Sequence, residues 1–142
     1  MIGTNLLEIR SYSGEGYLPL IVYGAWRVAI LRYIDELLPQ NIGKLQRHDA
    51  TDEVFILLRG CCLLFIAEGA GQVGEIHAQD MQPLQLYNIK RGVWHTHTLS
   101  EDATVLIIEN EDTQPENSPE IELDPAQRQR LIQLTQQIWN SN

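Results

Sequence analysis

Two stretches decide how this chain folds: Gln46-Arg47-His48-Asp49-Ala50-Thr51-Asp52-Glu53-Val54-Phe55-Ile56-Leu57-Leu58-Arg59-Gly60 and Lys90-Arg91-Gly92-Val93-Trp94-His95-Thr96-His97. Each sets a potential metal-ligating side chain at the start of an apolar strand. Residues 49–52 have turn chemistry. Closed as a four-residue hairpin loop, they would leave His48 and Glu53 directly opposed, and opposed residues of an antiparallel pair share a face. His95 and His97 are two apart and share a strand face, with Thr96 and Thr98 on the other. Gly92 supplies a tight turn before them. A strand carrying His95 beside the first block then completes a set of two imidazoles and one carboxylate. That set suits iron, manganese, nickel or zinc.

Outward from these blocks the chain reads as many short strands. Short strands or extended arms are expected at 6–9 and 20–23, and a firmer strand at 26–33, with some helix character around 36–38. Pro39-Gln40-Asn41 breaks the pattern. Strands follow at 42–48, 53–58, 61–67, 74–79 and 84–89. A final antiparallel pair, 95–99 with 104–109, turns at 100–102. Strands without interleaved helices indicate an all-β sandwich or barrel. Several strands are apolar on both faces, so one outer face is expected to be covered by the tail or a partner. Residues 111–123 read as an acidic linker. Asp124-Pro125 reads as an N-cap followed by proline at the first helical position, opening a helix over 124–140. Its stripe of Leu131, Leu134 and Ile138 packs on the barrel, or alternatively docks a partner.

Composition bounds the rest. A chain of 142 residues with 44% hydrophobic content is one globular domain. Its net charge of −9 argues against nonspecific nucleic-acid binding. No run approaches the ~20 apolar residues of a membrane helix. The start of the chain lacks the basic residues and apolar run of a signal peptide. Cys61 and Cys62 are neighbours that point to opposite strand faces and read as reduced thiols, so a cytoplasmic location is expected. Arg47, Lys90, Arg59 and Arg91 are candidate anion binders, the last two more simply solvated turn residues. Tyr87 and Trp94 are pocket-lining or core aromatics. His77 and the carboxylates of Glu15, Glu68 and 109–122 receive no chemistry.

The two blocks resemble the motifs of the cupin superfamily. The first motif has two histidines one residue apart, then a glutamate, then a glycine after six residues; here it reads Gln46-x-His48, Glu53, Gly60. The second has proline, glycine, histidine and asparagine; here it reads Lys90, Gly92, His95, Leu99. The resemblance implies an antiparallel double-sheet (jelly-roll) barrel over 1–110 with a metal site inside one end. It implies His48, Glu53 and His95 as ligands to a divalent Fe, Mn, Ni or Zn ion. Gln46 stands where the first histidine belongs, as a weak amide ligand or a position left to water. His97, outside the motif, is a ligand, a substrate-binding group or the catalytic proton donor. Lys90, Tyr87 and Arg47 are the substrate-binding candidates.

Three functions compete. The first is a metal-dependent isomerase, lyase or dioxygenase acting on a small polar molecule. The second is a metal-free binding or sensing module with a vestigial site. The third is a structural subunit whose helix docks a partner. The broken apolar residues 1–24, and the family's habit of pairing through N-terminal strands, imply a homodimer.

Overall fold

A computed structural model describes residues 1–140. Ten strands make two five-stranded antiparallel sheets. In chain order they are β1 (Gly16–Tyr23), β2 (Trp26–Arg32), β3 (Lys44–Gln46), β4 (Glu53–Arg59), β5 (Cys62–Ala67), β6 (Ile76–Asp80), β7 (Leu86–Ile89), β8 (Trp94–Leu99), β9 (Thr104–Asn110) and β10 (Glu120–Glu122). The first sheet runs β1-β2-β9-β4-β7 and the second β10-β3-β8-β5-β6. Among the described residues one α-helix, α1 (Pro125–Trp139), follows. Among the described residues no helix is long and apolar enough to cross a membrane.

The sheets face each other across a core of Ala29, Leu31, Phe55, Leu57, Leu64, Val105 and Ile107. These residues alternate along β2, β4, β5 and β9, the period-two signature of a strand with one face inward. The run of β5 is apolar throughout because both of its faces are covered. Cys62 and Leu64 point into the barrel, whereas Leu63, Phe65 and Ala67 point outward under α1 with Leu131 and Leu134. The helix therefore packs its apolar stripe on its own sheet, with Leu131 and Leu134 buried and Ile138 partly buried. Asp124 and Gln127 cap it reciprocally, each side chain bonding the other's backbone N–H.

Four sequence expectations are corrected. Residues 6–9 form no strand. The segment 36–38 gives only a short 3₁₀ turn, Asp35–Leu37. β8 and β9 do not pair: β8 lies between β3 and β5, β9 between β2 and β4. The corner at 100–103 crosses from one sheet to the other, as does the corner at Gly60, and the two pack together. Gly60 has φ +73°, and a Cβ there would lie 2.7 Å from Ala103 Cα. This contact closes one end of the barrel. Finally, the stretch expected as an acidic linker joins the sheet. β10 pairs with β3, and Arg47 N–H and Asp49 N–H donate to the carbonyls of Pro119 and Asn117. Its glutamates alternate with Ile121, which pairs with Leu45 and packs in the cluster under α1.

Candidate metal centre

The open end of the barrel gathers the polar residues of both sheets. On the first sheet the register pairs Arg27 with Glu109 across β2 and β9, and Val54 with Ile108 across β4 and β9. One step further that register sets Glu53 opposite Glu109. Arg27, Glu109 and Glu53 thus form a row across three adjacent strands. On the second sheet Gln46 pairs with His95. His48 stands just past the end of β3. All six line one cavity of about 280 Å³, with Tyr17, His97 and Ser118 also in its wall.

His48 and Glu53 meet, but not as flanks of a hairpin. β3 and β4 belong to different sheets, and residues 49–52 carry the chain across the gap. That crossing is tied down on both sides. Asp52 accepts from the Arg91 N–H and the Asn88 amide, and Asn110 donates to the Ala50 carbonyl. Gly92, at φ +80°, turns its N–H onto the His48 carbonyl at 2.8 Å and so joins the two sequence blocks directly.

Two imidazole nitrogens converge on one carboxylate oxygen. His95 Nε2 is 3.0 Å and His48 Nε2 3.4 Å from Glu53 Oε1. Donor atoms of the three residues all lie within 4.8 Å of one another. All three are buried, at 7%, 6% and 4% exposure for His48, Glu53 and His95. The outer nitrogens fix the tautomers. His95 Nδ1 lies 2.9 Å from the Val93 carbonyl, which only accepts, so this nitrogen carries the proton. The Ser118 hydroxyl donates to Asn117 Oδ1 and so accepts from His48 Nδ1, 2.8 Å away. In their neutral forms both rings therefore turn a bare Nε2 lone pair toward a carboxylate. Three acceptors aimed at one point need a cation between them, a proton or a metal ion. Donors ~2.1 Å from a divalent ion stand roughly 3–4 Å apart, so the residues fit such an ion.

The protonation equilibria reflect the same need. Burial alone would lower His48, but the hydrogen bond and charge of Glu53 outweigh it and raise its pKa. Burial would raise Glu53, yet His48 and His95 hold it well below the usual carboxylate range. His97 lies deeper, with its ring centroid 5.4 Å from that of Phe55 and its Nδ1 buried without a partner. Burial pulls it down to about 4, so it is neutral at physiological pH.

Glu109, Arg27 and Tyr17 were missed by sequence reasoning. Glu109 Oε1 accepts from the Tyr17 hydroxyl at 2.6 Å and from Arg27 Nη2 and Nε at 2.8 and 3.2 Å. Its Oε2 is buried without a donor, 3.8 Å from His48 Nε2. Burial first, and then the neighbouring Glu53, push Glu109 up to about 7. A signal existed: Glu109 is in phase with the inward residues Val105 and Ile107, and Arg27 with Ala29 and Leu31. Glu109, given no chemistry from the sequence, is thus a buried residue of the cavity wall.

The proposed substrate-binding residues are not brought to this cavity. Tyr87 and Lys90 line a separate, largely apolar cavity of about 240 Å³ between β5, β6 and β7. The Tyr87 hydroxyl binds the Gln82 backbone, and Lys90 points to Asp52. Arg47 lies over the Trp94 ring, 4.8 Å from its centroid, and pairs with Asp49 and the Ala70 carbonyl. Gln46 and His97 do face the cavity with the three candidate ligands.

No protein-family model matches the chain, and no curated protein sequence matches it. Solved structures do. A cupin-2 domain protein of Shewanella frigidimarina is 18% identical over 70% of this chain and 85% of its own, with a TM-score of 0.51. The Streptomyces nucleoside dehydratase Pac13, a variant of which was solved with uridine, is 5% identical over 79% and 83%, with a TM-score of 0.55. Oxalate decarboxylase of Bacillus subtilis is 14% identical over 77% of this chain and 29% of its own, with a TM-score of 0.53. At these identities the likeness establishes the fold.

Proposed function

From a cupin fold whose open end holds two imidazoles and a carboxylate, we propose that this protein binds a divalent metal ion through His48 Nε2, His95 Nε2 and Glu53, and a small polar molecule beside it. The observation that carries this reading is the convergence of three acceptors whose outer atoms are already fixed by Ser118 and the Val93 carbonyl. Iron, manganese, nickel and zinc all accept this donor set. A bound ion supplies a Lewis acid that polarises a carbonyl or hydroxyl oxygen.

The chain's own residues would do the rest. Ser118 and the Val93 carbonyl hold the two rings in the tautomer that faces inward. Arg27 and Tyr17 hold Glu109 at the rim of the ligand group. His97 presents a neutral imidazole to the cavity and is the residue proposed to move a proton. Gln46, opposite His95, offers an amide instead of a further imidazole. Isomerase, lyase and dioxygenase chemistry all fit this arrangement.

Metal stoichiometry of protein prepared without an affinity tag tests the reading. About one ion per chain is expected, lost in His48→Ala and His95→Ala. Metal-free protein that still binds a small molecule would instead favour a sensing module, the reading that Gln46 supports.

A homodimer is part of the proposal. Residues 1–15 contribute no strand, Ile2, Leu6, Leu7 and Ile9 are exposed, and β1 is an edge strand of its sheet. Covering these side chains with a second copy removes apolar surface from water. A monomeric mass by light scattering would rule the dimer out.

A further inference from the structure

We propose that the outer face of the first sheet is the surface through which two copies of this chain associate, packed sheet on sheet. This rests on the homodimer reading for its occupant and goes beyond it by assigning the face.

The strand register lays that face out in rows. Leu18, Ile30, Leu106, Ile56 and Leu86 stand side by side across all five strands, an unbroken apolar row. The next row is Ile21, Val28, Ile108, Val54 and Asn88. Beyond it Tyr23 and Trp26 pair on β1 and β2, their ring centroids 6.0 Å apart. All of these residues are out of phase with the inward Ala29, Leu31, Phe55 and Ile107, so they point away from the barrel. An antiparallel sheet with one face in water normally turns polar residues to that side. This one does not. The second sheet has an apolar outer face too, and α1 covers it. On the first sheet Tyr23 is 74%, Leu86 72%, Trp26 44% and Leu18 40% exposed. No residue of these rows belongs to either core cluster.

Charge points to a second copy as the occupant. Each chain carries a net charge of −9, so two copies repel unless they meet on a face free of carboxylates. A two-fold contact brings one patch against itself, so every charge in it meets a like charge. The two rows and the aromatic pair contain no Asp or Glu. The row that borders them is Arg32, Thr104 and Arg59, positive rather than negative. The face is therefore self-complementary in a molecule that is otherwise self-repelling.

The area agrees. Five strands ~4.8 Å apart and three rows ~7 Å apart give a footprint of about 500 Å². The largest apolar patch of a typical monomer is ~300–600 Å² and often functional. Together with Ile2, Leu6, Leu7 and Ile9, the face reaches the ~800 Å² per copy of a stable interface. Val28, Ile108 and Val54 also sit one residue along from Arg27, Glu109 and Glu53, so covering this row braces the strands that carry the polar wall of the cavity.

Sedimentation velocity on the full chain, over a range of concentrations, tests the proposal together with hydroxyl-radical footprinting. Wild type should run at twice the chain mass, with Tyr23 and Trp26 protected from oxidation several-fold more in the dimer than on dilution. Leu18→Glu with Leu86→Glu places carboxylates on the two edge strands, at positions already exposed in the single chain. This double variant should keep its far-ultraviolet circular dichroism and lose association by about a hundredfold or more. A wild type that stays monomeric at every concentration overturns both the face and the homodimer reading. A dimer in which Tyr23 and Trp26 stay fully reactive, or one that the folded double variant still forms with wild-type affinity, overturns the face alone. The footprint decides the matter even if the variant does not fold.

Discussion

Glu53 and Glu109 stand directly opposite each other on neighbouring strands, both buried, because the register pairing Val54 with Ile108 runs on to the barrel mouth. Opposed like charges repel. Each carboxylate is tolerated through a different neighbour. Arg27 and Tyr17 hold one oxygen of Glu109, while His48 and His95 face Glu53. The pair leaves a demand for positive charge in the middle of the cavity, which a proton or a metal ion meets.

That demand has a pH signature in metal-free protein. Glu109 is pushed up to about 7, against ~4.3 for an unfolded glutamate. A raised carboxyl means that the folded state holds the proton across this window. Its stability contribution is complete below ~4.3, falls as pH rises toward 7, and levels off above. The difference in unfolding free energy between wild type and Glu109→Gln should fall by on the order of 1–3 kcal/mol between about pH 4.5 and pH 7.5. Denaturant titrations across that range check it, and a difference that is flat or rises with pH contradicts it.

Gln46→His should improve metal binding. Position 46 pairs with His95 across β3 and β8 and lines the cavity, so an imidazole there adds a donor beside the existing three. Affinity for zinc should rise by about tenfold or more. Calorimetric titration of stripped protein measures this, and an unchanged affinity would show that position 46 is out of reach of the ion.

Leu131→Ala probes the helix on the second sheet. Leu131 is fully buried against the outer face of that sheet. Truncation should cost about 3 kcal/mol, from lost transfer energy and the cavity left behind. The loss is read from urea unfolding. A cost under about 1 kcal/mol would mean that the helix is not docked as described.

Much of this architecture was legible in the chain. Apolar runs mark β2, β4, β5 and β9 as strands, but only in β5 is the run covered on both faces; in the other three burial alternates where residue type does not. The Asp124-Pro125 pair marks the start of the helix. The pairing of 95–99 with 104–109 failed because sequence neighbours were assumed to be spatial neighbours, whereas the corner at 100–103 changes sheets. The hairpin at 49–52 failed for the same reason. His48, Glu53 and His95 could be picked out from residue type and spacing, since few other residues offer metal-ligand chemistry at strand ends. Glu109 was obscured by the acidic stretch that follows it, although its strand phase pointed inward. Ser118 could not have been found, because irregular backbone at 115–118 brings it to His48 through no periodic signal.

The central claim is that His48, Glu53 and His95 hold a metal ion, and anomalous scattering from a crystal of protein prepared without an affinity tag tests it most directly. Data collected above and below the iron, manganese, nickel and zinc edges should show one peak within about 2.0–2.3 Å of His48 Nε2, His95 Nε2 and a Glu53 oxygen. No peak at that point in crystals soaked with each metal, with Glu53 still bonded to protonated imidazoles, would contradict the account.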